Sequence, residues 1–352
     1  MAELETLKRF INCYVPTGRC NFRCEYCYIT LKRQFDGNLF KMQVPLEHFR
    51  KAVSKKRLGG MCLFNLCAGG ETLLSPEIIP VIRVLLEEGH NVAVVTNGTC
   101  SASFEKLAEL EKALLEMLYF KFSFQYLELI RTNTLDIFFQ NVKRMRDVGC
   151  SFSIDITPHD RLIPHIPEIK RIFMEQLGAL PHLGVARDTS TNELKLLTEM
   201  SREEYIATWS VFESEKFNYR MQEFLKPHHE YCHAGDWTFS LEIGTGNMRK
   251  CDGAPVPKEM DFYNLYENPD EEIKFEAIGH NCPVAHCYNC HALLALGTIP
   301  ELQAPTYTEM LDRVDNEGRH WLSPRLRELY SHKLIESYDT QNHSENVVSA
   351  VG

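Results

Sequence analysis

The 352-residue chain has no apolar run approaching the ~20 residues that a membrane helix needs. Its first nine residues are polar and lack the apolar core of a signal peptide. We therefore expect a cytoplasmic protein with no membrane partner. Positive charge is also short: 38 Lys and Arg stand against 48 Asp and Glu, a formal net charge of −10. A general nucleic-acid binder needs a basic face, so no nucleic-acid partner is expected, although a local basic pocket is compatible with the total. There are no internal repeats and no low-complexity block. The length suits one large domain plus a smaller one, and the hydrophobic fraction of 44% is ordinary for a globular protein.

Cysteine, by contrast, is abundant, with 13 in the chain. Disulfides are rare in a reducing compartment, so clustered cysteines point to metal. Cys13, Cys62, Cys67, Cys100 and Cys150 are scattered and read as small buried hydrophobes. Cys20, Cys24 and Cys27 form a Cys-x3-Cys-x2-Cys run with no fourth cysteine close behind. Such a loop can wrap one face of an iron–sulfur cube and leave one iron free for a substrate or cofactor. Zinc is the alternative and would require a distant fourth ligand. Cys232, Cys251, Cys282, Cys287 and Cys290 form a second group.

Between residues 10 and 211, strand and helix patterns alternate. Strands are expected at 10–15, 61–66, 91–96, 118–126, 151–157 and 183–187, with helices at 46–56, 76–88, 103–116, 132–148, 166–177 and 202–211. Six such units imply a parallel sheet with helices outside, curled by right-handed crossovers into a barrel or partial barrel. In the fourth strand Phe120, Phe122, Phe124 and Tyr126 share one face while Lys121, Ser123 and Gln125 share the other. In the fifth, Phe152, Ile154 and Ile156 oppose Ser151, Ser153, Asp155 and Thr157. The polar faces should look into a ligand-filled lumen, because a polar interior is costly unless it binds something polar. A one-residue register shift or an exposed edge strand would produce the same pattern.

From residue 10 to 187 the chain resembles the radical S-adenosylmethionine (SAM) superfamily. The Cys20/Cys24/Cys27 loop follows the first strand, and Gly69-Gly70-Glu71 follows the second, matching that family's Gly-Gly-Glu motif. The resemblance implies an α/β fold: a partial (β/α)6 barrel of the radical SAM type, then a small Cys-rich twitch-like domain and C-terminal helices. It implies a [4Fe-4S] cluster whose open iron takes SAM. Cys20, Cys24 and Cys27 are then the catalytic cluster ligands. Tyr26 packs near the adenine, and Gly69, Gly70 and Glu71 meet the methionine amino group. Asn97 ends the third strand in the family's manner. Ser123 contacts ribose or carboxylate, Asp155 or Thr157 serves ribose or substrate, and Arg187 holds the SAM carboxylate. Glycines at 69 and 70 should let backbone approach the ligand. The same resemblance implies a one-electron donor such as flavodoxin or ferredoxin, and sensitivity to oxygen.

The second group resembles a SPASM/twitch motif, which binds an auxiliary [4Fe-4S] cluster. Five cysteines suffice for one cube, with Cys232, Cys251, Cys287 and Cys290 closest to the twitch spacing and Cys282 with Cys287 the competing pair. The spare thiol would be structural or a hydrogen-atom donor. Nearby His280, His286 and His291 keep zinc as an alternative. A small hairpin is expected around Gly244-Thr245-Gly246. We expect the barrel over 1–211, a connector at 212–230, the auxiliary domain at 231–296, C-terminal helices at 297–340 and a loose tail at 341–352.

The expected chemistry is removal of a substrate hydrogen atom, with dehydrogenation or epimerisation of a carbohydrate or other small polar molecule foremost. Modification of a ribosomal peptide by thioether, epimerised or carbon–carbon linkage is the alternative. Only 19 residues precede Cys20, too few for a leader-binding module, which favours the small substrate. An iron–sulfur electron-transfer protein without catalysis is the reading from another class.

Overall fold

The computed structural model describes residues 5–191, 193–251, 260–280, 282–284, 286–287 and 289–338. The expected tail at 341–352 lies outside them. Six parallel strands run in chain order along one sheet: β1 (Arg9–Val15), β2 (Cys62–Ala68), β3 (Asn91–Thr96), β4 (Leu118–Ser123), β5 (Ser151–Ile156) and β6 (His182–Leu183). Helices Leu46–Ala52, Ile78–Glu87, Ser101–Ala108, Leu135–Asp147 and Ile166–Leu177 lie in the intervening crossovers. This is the α/β partial barrel of six units, an open sheet in which β6 and β1 do not pair.

Three more strands continue the sheet beyond β1. β7 (Thr238–Glu242) pairs in parallel with β1, and β8 (Asn247–Arg249) and β9 (Asp261–Asn264) follow antiparallel. The hairpin around Gly244–Gly246 is therefore present, and it is joined by hydrogen bonds to the barrel's first strand. Gly246 adopts φ +82°, and a Cβ there would stand 2.5 Å from the Tyr266 ring, so the turn needs glycine.

Strand alternation sorts the side chains into two cores. Ile11, Phe64, Leu66, Val94, Phe120, Phe122, Phe152 and Ile154 face the outer helices, with Phe104 stacked on Phe122 and Phe138 meeting Phe122 edge-on. Phe10, Leu63, Ala93 and Tyr119 face inward and pack on Leu296, Tyr307, Leu326 and Tyr330. The C-terminal helices Tyr307–Leu311 and Pro324–Ser331 thus fill the lower lumen. Each has a side-chain start signal: Thr306 and Glu309 form a capping box, and Ser323 accepts from the Leu326 amide ahead of Pro324. Above this apolar floor the inner face turns polar, as the alternation in β4 and β5 implies.

Several boundaries differ from expectation: the sixth strand is only His182–Leu183 rather than 183–187, and the helix expected at 103–116 is split into Ser101–Ala108 and Lys112–Leu115. The fourth strand stops at Ser123, and Tyr126–Arg131 is helical. Residues 212–230, read as a connector, carry helix Glu215–Glu223, whose Lys216, Phe217, Tyr219, Arg220 and Met221 are buried. Among the described residues, no helix is long and apolar enough to cross a membrane.

Candidate cluster and cofactor site

The C-terminal ends of β1 to β5 and the segment after β6 converge on one cavity of about 260 Å³. Crevices at the carboxyl ends of parallel strands are where such folds place ligands. Its walls include Cys20, Cys24, Cys27, Tyr26, Gly70, Glu71, Asn97, Ser123, Thr157 and Arg187. Residues far apart in sequence are thus brought together as expected. Two proposed contacts lie off this wall. Gly69 sits behind it, its carbonyl 3.5 Å from the Tyr28 hydroxyl. Asp155 is deeper in the lumen, its Oδ2 2.6 Å from Lys216 Nζ.

The three thiols are held by a dense backbone and side-chain network. A Cβ on Gly70 would lie 2.0 Å from the Arg19 carbonyl oxygen, and one on Gly69 would lie 2.9 Å from the Tyr14 hydroxyl. Gly70 donates its N–H to the Thr17 carbonyl, and Glu71 donates to that of Arg19 at 3.0 Å. The double glycine therefore lets the second strand's exit lie directly against the backbone entering the cysteine loop. Gly70 also lines the cavity, so the same backbone borders the space where the ligand is expected.

Glu71 is buried and ties strand ends together. Its carboxylate accepts from Thr96 Oγ1 at 2.6 Å, Asn97 N at 2.7 Å and Leu73 N at 3.0 Å. Burial raises its pKa, and those three donors oppose the shift. Asn97 Nδ2 donates to Asn21 Oδ1 at 2.8 Å, and Asn21 Nδ2 donates to Thr99 Oγ1 at 2.8 Å, so the third strand's end grips the cysteine loop. On the other side Arg23 N donates to Glu128 Oε2 at 2.6 Å, and Arg131 donates from Nε and Nη2 to that carboxylate and holds its pKa down.

Burial pushes the Cys20 thiol up to about 11 and raises Cys24 further. Without a cation these thiols stay protonated, and iron binding would release their protons. Tyr26 lies 4.7 Å from the His159 ring, and its phenol is raised by burial and by a hydrogen bond to Cys24.

The cavity passes a test for a polar guest. Gln125 Oε1 and Thr189 Oγ1 are buried in its wall without a hydrogen-bond partner. Orphaned buried polar atoms cost about 1–3 kcal/mol each unless a ligand completes them. Neither residue was singled out from sequence, although Gln125 stood on the polar face of the fourth segment. Among the described residues no three His, Cys, Asp or Glu close around a point as a single ion requires. The first three thiols instead ring a cavity, the arrangement that a multi-iron cluster with one exposed iron needs.

Near the lumen's opposite wall, Cys232, Cys251, Cys282 and Cys287 line a second, mostly aliphatic cavity with Leu293, Leu294 and Ile299. The donor set suits an auxiliary cube. The enclosed space, about 30 Å³, is tight for one. Cys290 does not line this cavity. It is buried, and Arg220 and Arg187 pull its thiol pKa down against the raising effect of burial. The grouping favours the Cys282–Cys287 pair over the Cys287–Cys290 pair.

A loop of three thiols beside a sealed Gly-Gly-Glu corner, opening on a pocket with orphaned polar atoms, defines a cluster-dependent cofactor site. Comparison with known proteins agrees: residues 14–161 match the model of the radical SAM superfamily, and the chain carries a radical SAM domain. Among curated proteins, a 7-carboxy-7-deazaguanine synthase from Thermoplasma acidophilum is 32% identical over 88 residues, 25% of this chain and 38% of that protein. One from Rhodospirillum rubrum is 34% identical over 86 residues, 24% of this chain and 33% of that protein. The matched segment thus spans less than half of either relative. Among solved structures, Streptococcus suis SuiB bound to S-adenosylmethionine superposes with a TM-score of 0.51 at 14% identity, covering 74% of this chain and 64% of that one. Native anSMEcpe with bound AdoMet gives 0.50 at 12% identity over 73% and 78%. These two establish the shared fold. The domain's cofactors are accordingly a [4Fe-4S] cluster and SAM.

Proposed function

We propose that the protein is a radical SAM enzyme that removes a hydrogen atom from a small polar substrate held in the barrel lumen. The convergence of Cys20, Cys24, Cys27 and Glu71 with the ends of β3, β4 and β5 on one pocket carries this reading. When bound, the cluster and SAM supply a reducing electron and, after carbon–sulfur cleavage, a 5′-deoxyadenosyl radical able to take the substrate's hydrogen.

The chain's own residues then have distinct tasks. Cys20, Cys24 and Cys27 hold three irons. The Gly69–Glu71 corner and Asn97 fix that loop and border the space for the methionine end of SAM. Tyr26 offers its ring to the adenine. Ser123, Gln125 and Thr157 offer hydrogen bonds to ribose hydroxyls, and Arg187 offers a fork to a carboxylate. The apolar floor of Tyr307, Leu326 and Tyr330 closes the lumen below and keeps bulk water from the reacting atoms.

Dehydrogenation and epimerisation diverge once the hydrogen atom has been removed. Epimerisation needs a hydrogen atom returned to the opposite face, and Cys67, which lines the cofactor cavity, Cys282 and Cys290 are the thiols we consider for it. Dehydrogenation needs an electron acceptor, for which Cys232, Cys251, Cys282 and Cys287 are the proposed cluster ligands. A peptide substrate is the second reading, supported by the fold shared with SuiB bound to precursor peptide SuiA, at a TM-score of 0.50 and 14% identity. Incubating the iron-reconstituted protein with dithionite and SAM under nitrogen tests the main reading. It expects 5′-deoxyadenosine, lost in Cys24→Ala. A fully loaded wild-type protein that releases none would favour the electron carrier.

A further inference from the structure

The lumen wall behind the SAM pocket holds more positive charge than it neutralises. Lys121 on β4 and Lys216 and Arg220 on helix Glu215–Glu223 are all buried. Of the carboxylates nearby, Asp155 Oδ2 is taken by Lys216 Nζ at 2.6 Å, and Glu223 on the same helix pairs with Lys226 at 3.2 Å. Lys121 Nζ has neutral partners, the Tyr307 hydroxyl at 3.2 Å and Asn65 Oδ1 at 3.4 Å. Arg220 makes no hydrogen bond or ion pair with any described residue and is 9% exposed. A guanidinium cannot shed its charge, so a largely buried one without a protein counter-ion is met either by water in the cavity or by an anion that enters it.

Arg220 is also adjacent to the cofactor pocket. A Cβ built on Gly184 would stand 3.6 Å from Arg220 Nη1 and 4.0 Å from Thr157 Oγ1, and Thr157 lines that pocket. Gly184 leaves this gap open between the two side chains. Further in, His291 Nδ1 and Asp155 Oδ1 are buried without hydrogen-bond partners. Lys121, Lys216 and Arg220 thus gather on one part of the lumen wall around Asp155. This concentration stands in a chain whose net charge is −10.

We propose that this cluster is an oxyanion subsite: the substrate carries a carboxylate or phosphate that seats against Arg220 and Lys121, with the remainder of the molecule directed toward the pocket lined by Thr157 and Ser123. Calling the guest a substrate rests on the radical SAM reading; the anion site itself does not. Guanidinium and ammonium donors in a dry site suit either oxyanion, and together they fix its orientation.

The test uses reconstituted, SAM-saturated protein under nitrogen, titrated by calorimetry with inorganic phosphate and, separately, malonate. Saturable binding of at least one anion is expected, weakened tenfold or more in Arg220→Gln and less in Arg220→Lys. A preference for phosphate assigns a phosphoryl substrate, and a preference for malonate assigns a carboxylate. Absence of saturable binding of either anion to wild type, or unchanged affinity in Arg220→Gln, overturns the proposal. Should Arg220→Gln fail to fold, Lys121→Gln replaces it: a threefold loss or more is expected, and unchanged binding overturns the subsite. 5′-Deoxyadenosine release by the same wild-type sample is read separately. Anion binding without that product would sink the radical SAM reading and leave the subsite standing.

Discussion

Replacing Gly70 with alanine tests how the cysteine loop is held. The added methyl would lie 2.0 Å from the Arg19 carbonyl oxygen and 2.5 Å from its carbon, both backbone atoms next to Cys20. Restoring an ordinary contact of 3.4 Å needs a displacement of about 1.4 Å. No side chain can rotate away to absorb it. Overpacking of this kind costs about 1–3 kcal/mol. A displacement near 1 Å at a reacting centre costs roughly 10²-fold in rate. We therefore expect Gly70→Ala to lose roughly 1–4 °C in thermal midpoint and about 100-fold in 5′-deoxyadenosine release. Gly318→Ala is the control: its backbone has φ +80° and nothing lies within 4 Å of the added methyl, so it carries strain of ~1 kcal/mol far from the pocket. It should lower the midpoint with no loss of release. If Gly70→Ala releases 5′-deoxyadenosine within threefold of wild type at equal iron content, the account of the Gly-Gly corner as the loop's anchor is wrong.

Three other outcomes are expected. Glu71→Gln puts an amide nitrogen against one of the donors from Thr96, Leu73 and Asn97, so urea unfolding of the apoprotein should show a loss of about 2–3 kcal/mol; equal stability would remove Glu71 from its pinning role. Iron analysis should find ~8 irons per chain in wild type and in Cys290→Ala, and about half that in Cys282→Ala; the reverse order would return Cys290 to the ligand set. Lys216, surrounded by Asp155, His182, Lys121, Arg220 and His291, is lowered by burial to about 8. Its positive charge is present below that value and lost as pH rises through it, while Asp155 stays ionised. Sulfate, which does not titrate in this range, should bind at least threefold more weakly at pH 9 than at pH 7, and affinity that holds or rises would contradict a seat for the anion in the cation cluster to which Lys216 contributes.

Much of the barrel was legible because its strands alternate cleanly. The third strand, Asn91–Thr96, falls where the pattern places it, and β1, β2 and β5 agree to within a residue or two. The inward polar faces were readable as well: Lys121, Ser153 and Asp155 do meet the lumen's polar groups. The fourth strand was overextended because Phe124 and Tyr126 keep period two, yet Tyr126 turns to start a helix whose Glu128 clamps Arg23. Helix Glu215–Glu223 was missed for a physical reason. Its buried face carries Lys216, Arg220 and Glu223 alongside Phe217 and Met221, so hydrophobic periodicity fails where charge is buried. The pairing of β7 with β1 was likewise out of reach, since alternation assigns a strand's faces and not its neighbour. The thiol spacing of the second group could not separate Cys282 from Cys290, because that choice depends on which way the chain turns after Cys287.

The central claim is that Cys20, Cys24 and Cys27 hold a cube whose remaining iron faces the pocket and accepts SAM. Electron paramagnetic resonance of the dithionite-reduced protein, recorded before and after SAM is added, addresses it directly. The account predicts a signal whose g values shift when SAM binds and which is absent in Cys24→Ala. A fully iron-loaded wild-type protein whose spectrum is unchanged by saturating SAM would contradict it.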